Sequence, residues 1–327
     1  MKFEHGAVGL VLALVVALVG MTLFHPPAGM TAAPVAKPGL PGPVASLAGK
    51  AAPLDGRPAD GFFASPSTSK LTDVFHSLDY DFDRIRSGEG RVPRLFLAAL
   101  PADMVDIRES KVRKSLFFRA LLPLVLQANE ELLADRRRLW HIRYRLLLGE
   151  QLKAAERLWL AMMSERYGVE RDDVDALLRR VDIIPPSLAL AQAAEESGWG
   201  TSRFAREGNA VYGQWTTAER KGLIPLRRDK GMTYKIKSFP TLFDSVRSYA
   251  RNLNTHRSYR GFRKSRAQLR RQGAPIDGVL LAGQLIRYSA RQMAYVETIR
   301  GLIKTNNLHR LDDSRLSVTK PDRKTLI

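Results

Sequence analysis

The chain contains no cysteine. That excludes disulfides, thiol nucleophiles and cysteine-ligated metal, but it assigns no compartment, since cysteine-free chains occur in all of them. Histidine is scarce: the six fall at positions 5, 25, 76, 141, 256 and 309, and no pair has the HExxH spacing of a zinc hydrolase. No metal and no other cofactor is expected. Acidic residues are in the minority, 33 Asp and Glu against 52 Lys and Arg, for a formal net charge of +19. Such an excess points to an anionic partner, whether nucleic acid, a membrane surface or an acidic polymer. No recognisable nucleic-acid motif accompanies the charge, which argues against the first. Internal repeats are also missing.

What is present divides the chain unevenly. Gly6 to Phe24 is uncharged and rich in Leu and Val. It approaches the roughly 20 residues that span a bilayer, and it is longer than the apolar region of a usual signal peptide. Residues 1–24 are expected to be an uncleaved anchor, with a signal peptide cleaved near Ala32 or Ala33 as the rival. The rest of the chain would then sit in the cell envelope, held at the inner membrane and facing the periplasm, or be secreted into the periplasm after cleavage. Residues 25–70 are rich in Pro, Ala, Gly and Ser and read as a linker. Residues 71–180 read as a helical region, with Pro123 as an expected kink or break and Arg136-Arg137-Arg138 as a solvated face. Residues 309–327 are polar and are expected to fray.

The stretch "IIPPSLALAQAAEESGWG", residues 183–200, is more specific. Pro185-Pro186 suits a helix start and Gly198 a stop. The alanines between them allow close approach by other helices. Such a helix delivers Glu196 at its C-terminal end, where the negative end of the helix dipole disfavours an ionised carboxylate. A glutamate placed there is suited to keep its proton and donate it. The plain alternative is a helix-end acid facing water, and that reading fits Glu195. Downstream, "GLIPLRRDKGMTYKIKSF" reads as a β-hairpin with its turn at Asp229-Lys230-Gly231. Thr241 to Asp244 resembles a capping box opening a helix whose buried face holds Leu242, Val246, Tyr249, Ala250 and Leu253. Arg257 to Arg271 reads as a basic loop, and residues 279–303 as two short helices.

Several separated segments carry a family resemblance. "LAQAAEESGWGTSRFAREGNAVYGQW" resembles the catalytic segment of glycoside hydrolase family 73, bacterial glucosaminidases that cut peptidoglycan, and most of all its Bax-type branch. "VPRLFLAALPADM", "FFRALLPLVLQANE", "SVRSYARNLNTHRSY" and "YSARQMAYVETIRGLI" extend the likeness over Val92 to Leu308. The implied fold is lysozyme-like, mainly α with a small β-hairpin lobe, its catalytic domain at 181–308 preceded by the helical region. Glu196 falls on the glutamate before Ser in the family's ESGWG motif, to which the family assigns the general-acid role. Glu195 departs from the family, which usually has an apolar residue there. It is either exposed or raises the pKa of Glu196 by like-charge repulsion. Tyr288 matches a tyrosine lining the family's active site.

The resemblance is weaker for a second carboxylate. The β-lobe offers only Glu219 and Asp229, neither in a convincing copy of the family's motif, and the substrate's own acetamido group is an alternative to both. The glycan strands of peptidoglycan are the expected substrate. Trp199, Tyr212 and Trp215 are candidates to stack on sugars, Gln214 to hydrogen-bond them, and Arg203, Arg206, Arg227 and Arg228 to meet peptide carboxylates. The expected activity is hydrolysis of a β-1,4 bond at N-acetylglucosamine. A lytic transglycosylase and a non-catalytic wall-binding scaffold are the rival readings, and the oligomeric state stays open.

Overall fold

In chain order, the first pairing joins Phe62–Phe63 (β1) in parallel to Phe96–Leu97 (β2). The structure is a computed structural model that describes residues 62–63, 66–216, 222–225 and 233–318. Thr68–Ser77 (α1) is capped by the Ser67 hydroxyl, and Phe82–Ser87 (α2) by the Asp81 carboxylate. The linker expected over residues 25–70 therefore ends earlier than composition suggests, because β1 and the first turn of α1 lie inside it. Residues 1–24, with the expected anchor, lie outside the described residues. Among the described residues no helix is long and apolar enough to cross a membrane.

Ser110–Leu147 (α3) is 38 residues long and runs through Pro123 without a break. A proline inside a helix costs about 3 kcal/mol, since the ring displaces a turn and removes a donor. Here every residue from Ala120 to Leu126 is buried, so packing outweighs local propensity. Ala154–Tyr167 (α4), Val174–Arg180 (α5), Pro186–Ser197 (α6) and Arg203–Gly208 (α7) follow. A three-stranded antiparallel sheet comes next: Trp215–Thr216 (β3), Gly222–Leu223 (β4) and Lys235–Lys237 (β5), with β5 in the centre. Ile236 is the buried residue of β5, as alternation predicts. The expected turn at Asp229-Lys230-Gly231 lies outside the described residues.

Leu242–Thr255 (α8) opens with the expected capping box: the Asp244 amide donates to Thr241 Oγ1 at 3.1 Å and the Thr241 amide to Asp244 Oδ2 at 3.2 Å. All five residues expected on its apolar face are buried. The expected basic loop is instead a short 3₁₀ turn and a helix, Arg260–Arg271 (α9). Its basic residues divide between water and the interior. Arg263 and Arg266 are buried because each guanidinium meets main-chain carbonyls left open at helix ends. Arg263 donates to the carbonyls of Leu253 and His256, and Arg266 to those of Arg180, Asp182 and Ile183. Burial lowers the pKa of both to about 10.

Gly278–Ala282 (α10) and Met293–Thr305 (α11) complete the helices. The described residues all fall within one compact unit, Pro58–Ile327. Helix α6 is central: it packs on α3, α10, α11 and a 3₁₀ turn at Leu308–Leu311. Its small residues make this possible, since Ala189, Ala191, Ala193 and Ala194 are each at most 1% exposed. Residues 71–180 share this core with residues 181–308. Asn129 of α3 donates to and accepts from the backbone of Ile184, at 2.8 and 3.0 Å. Arg136 is not fully solvated as expected, for it reaches the carbonyls of Leu178 and Val181 and pairs with buried Asp182. Residues 309–318 are not a flexible tail. Leu311 and Leu316 are buried, Val92 and Leu316 form a parallel bridge, and buried Asp312 accepts from the Ser187 amide, the Ser187 hydroxyl and the Gly278 amide. Hydrophobic residues spaced apart within polar surroundings concealed this anchoring.

Candidate active site

The end of α6 turns sharply. Gly198, Trp199 and Gly200 have φ of 57°, 60° and 80°, three successive residues in the left-handed region. Glycine adopts it freely and tryptophan does not, so Trp199 stores backbone strain of order 1–3 kcal/mol. The turn is fixed from below by Ser197, whose hydroxyl donates to the Ala193 carbonyl at 2.6 Å and accepts from the Gly200 amide at 2.9 Å. The ESGWG sequence is thus a rigid corner, and Glu196 stands on its last helical turn.

Glu196 is half-buried, and one of its oxygens is fixed. Tyr295 of α11 donates its hydroxyl to Glu196 Oε1 at 2.8 Å. That hydroxyl accepts from Gln192 Nε2 at 2.8 Å, and Gln192 Oε1 accepts from the Tyr249 hydroxyl at 2.7 Å. The relay is buried and runs one way, from Tyr249 through Gln192 and Tyr295 to the acid. The other oxygen faces Gly213, where an added Cβ would lie 3.2 Å from Glu196 Oε2. Gly213 also has φ of 59°, so the position both requires glycine and leaves Oε2 uncovered.

Burial raises the pKa of Glu196. The Tyr295 hydrogen bond opposes this by favouring the anion, the charge of Glu195 adds a smaller rise, and Arg291 lowers it. Glu195 itself is ion-paired with Arg291, so repulsion between the two glutamates is present but partly neutralised.

Tyr288 is half-buried and stacks on Tyr295, with ring centroids 5.4 Å apart and planes at 6°. Its hydroxyl donates to the Tyr212 carbonyl at 3.3 Å. Tyr212 is not a sugar platform: it is 1% exposed and stacks on Tyr249 at 3.9 Å, because the Val211–Tyr212 pair turns inward. Trp199 also packs inward, edge-to-face on Phe117 and Phe118, with the Lys114 ammonium 4.8 Å over its ring. Trp215 is open, at 68% exposure, and stacks on Tyr234 at 4.5 Å. Gln214 donates to the Ser248 carbonyl at 3.3 Å. Arg203 is engaged by Glu207 and by the Ile224 carbonyl. Glu219, Asp229, Arg227 and Arg228 lie outside the described residues.

Sequence reasoning missed Tyr295 and Gln192 as partners of the acid. The signal for Gln192 was a lone amide in a run of alanines. For Tyr295 it was a second tyrosine seven residues after Tyr288. Chemically, the arrangement can hold a neutral carboxylic acid with one oxygen tied and the other free, beside stacked aromatics.

A glucosaminidase family model, described as mannosyl-glycoprotein endo-beta-N-acetylglucosaminidase, matches residues 171–308. Protein bax of Escherichia coli (strain K12) is 34% identical over 218 residues, covering 64% of this chain and 76% of that protein. The catalytic domain of the autolysin Auto from Listeria monocytogenes aligns with a TM-score of 0.31 and 17% identity, covering 53% of this chain and 96% of that one. The acid on its rigid corner lies within the matched family segment, and the chain belongs to the Bax-type glucosaminidases of glycoside hydrolase family 73, the glycoside hydrolases that cut peptidoglycan.

Proposed function

We propose that the chain hydrolyses a β-1,4 glycosidic bond at N-acetylglucosamine in peptidoglycan, with Glu196 as proton donor. The observation that carries this reading is the asymmetry of the Glu196 carboxyl. Oε1 accepts the Tyr295 hydroxyl, so in the neutral acid the proton resides on Oε2. Gly213 leaves that oxygen open, and burial favours the protonated form. The acid protonates the leaving oxygen as the glycosidic bond breaks, and positive charge develops on the sugar.

In the same step we propose that the substrate's own acetamido oxygen, oriented by the Tyr288 hydroxyl, attacks the anomeric carbon from the face opposite the departing oxygen, forming a cyclic intermediate as the glycosidic bond breaks. That hydroxyl sits beside the acid through the Tyr295 stack, and its 3.3 Å bond to the Tyr212 carbonyl is long enough to yield to a stronger partner. Water then opens the cyclic intermediate, with Glu196 as base. Two inversions at one carbon give retention. Proton NMR of the first-formed anomer tests this, run on wild type, Tyr288→Phe, Glu219→Gln and Asp229→Asn. Retention, with activity strongly reduced only in Tyr288→Phe, is the expected result. An inverted anomer together with an inactive Glu219→Gln or Asp229→Asn protein would instead assign water attack assisted by that carboxylate. Mass spectrometry of the same products reads the bond cut, and an anhydro-sugar end would mean transglycosylation. We further propose that residues 1–24 hold the enzyme at the inner membrane facing the periplasm, on the strength of the uncharged run from Gly6 to Phe24.

A further inference from the structure

A cavity of about 470 Å³ opens between α2, the first turns of α3 and the segment Thr305–Asn307. Four cations line it: Arg86, Lys111, Lys114 and Arg119. Its two acids are already occupied. Asp81 accepts from the amides of Asp83 and Arg84 at the start of α2, and Asp83 pairs with Arg86 at 2.9 Å. Among the described residues no carboxylate lies within ion-pairing distance of Lys111, Lys114 or Arg119. Arg119 is held instead over the rings of Phe75 and Phe82, at 5.8 and 5.9 Å, and its buried Nε has no hydrogen-bond partner. The Nε of Arg86 is likewise buried and unpartnered. A buried guanidinium donor without an acceptor is costly, so neither arginine is neutralised or fully satisfied by the protein around it.

We infer that this cavity binds the carboxylates of the short peptide stems that hang from peptidoglycan glycan strands, a reading that rests on peptidoglycan being the substrate. The cations come from two helices, Arg86 from α2 and Lys111, Lys114 and Arg119 from a stretch of α3 about 12 Å long, and the rings of Phe82 and Phe118 belong to the same lining. That pattern suits several carboxylates separated by short apolar side chains better than one compact phosphate. The cavity is also linked to the catalytic corner. Phe118 meets Trp199 edge-to-face at 5.3 Å, Lys114 lies over the same indole, and Trp199 follows Glu196 by three residues. A stem peptide held here would bring its own strand's sugars toward the acid, so the cavity selects peptide-bearing glycan.

Calorimetric titration of the full chain with a stem tetrapeptide tests the inference directly. The wild type is expected to bind it in a salt-sensitive manner, and the Lys111→Gln/Lys114→Gln double variant about 10-fold or more weakly, the loss expected for charge-assisted bonds. Lys→Arg at both positions should restore binding, and the same peptide with its carboxylates amidated should not bind. On sacculi the Lys111→Gln single variant should show a raised KM, while on glycan strands stripped of peptide it should match the wild type. Lys111 is exposed and Lys114 half-buried, so the variants are expected to unfold at the wild-type temperature. The inference is overturned by wild type that ignores the tetrapeptide, by binding unchanged in the double variant, by equal losses on stripped and peptide-bearing strands, or by inorganic phosphate binding as tightly as the peptide. The titration does not depend on turnover. Wild type that binds the peptide but releases no sugar from either glycan would therefore refute the hydrolytic reading and leave the cavity assignment standing.

Discussion

Glu196→Gln preserves the shape of the side chain and an oxygen for Tyr295 to meet, but it removes the transferable proton. Acid catalysis contributes about 100-fold to 10,000-fold, so clearance of sacculi should fall by that range while the unfolding temperature holds. A variant retaining more than a tenth of the rate would remove Glu196 from the acid role. Glu195→Gln should be far milder, since its charge is a minor influence offset by Arg291. Tyr295→Phe separates proton affinity from proton position. The hydroxyl favours the carboxylate anion, so its loss raises the pKa of Glu196 further. In the proposed acid role Glu196 must be protonated, so activity is expected to disappear as pH rises through that pKa. The basic limb of the pH–rate profile should therefore move to higher pH in Tyr295→Phe, even as the maximal rate drops because Oε1 is released. An unmoved limb would mean that the group setting it is not the carboxyl that Tyr295 meets. The variant also strands Gln192 Nε2 in the interior, at a cost of about 1–3 kcal/mol.

At the scale of elements, α6 is held at both ends. Its C-terminal turn is tied by Ser197 and Tyr295, and the Ser187 amide and hydroxyl at its N-terminal end by Asp312. Burial outweighs the three donors around Asp312 and raises its pKa to about 6. A carboxyl whose folded pKa exceeds its unfolded value of 3.8 binds its proton more tightly when folded. Its contribution is therefore greatest below about pH 4 and is lost as pH rises toward 6. Denaturant titrations across that window should show stability declining, by on the order of 2–3 kcal/mol from this group. Asp312→Asn should flatten the slope. A slope unchanged in the variant would assign the effect to another group. The start and stop of α6, the capping box of α8 and the central strand β5 were all legible, because each depends on local residues: Pro186, Gly198, the Thr241–Asp244 pair and the alternation around Ile236. The helix across Pro123, the helical state of Arg260–Arg271 and the anchoring of residues 309–318 were not. Each depends on a distant partner: the core around α3, the carbonyls at the ends of α5 and α8, and the backbone of Val92.

For the molecule as a whole, the position of Glu196 at the end of its helix was legible from the motif, while its hydrogen-bonded setting was not. Tyr212 and Trp199 look from sequence like surface aromatics in a glycine-rich wall, and only packing on Tyr249 and on Phe117 and Phe118 sends them inward. Trp215 remains as the open aromatic of the three. The described fold begins at β1, so removal of residues 1–24 should leave a soluble protein with wild-type activity on sacculi. The intact chain should stay with membranes in high salt, because burial in lipid is not screened as surface charge is. Release of the intact chain by salt alone would show that charge, not insertion, held it. The order of residues along the chain has a further effect. The Ser187–Asp312 contact spans 125 positions and the Glu196–Tyr295 contact 99. At ribosomal speeds of about 5–20 residues per second, Glu196 is made roughly 5–20 seconds before the tyrosine that fixes it. A chain that stops short of Tyr295 and Asp312 thus carries Glu196 without the hydroxyl that holds its Oε1 and without the carboxyl that ties the start of its helix.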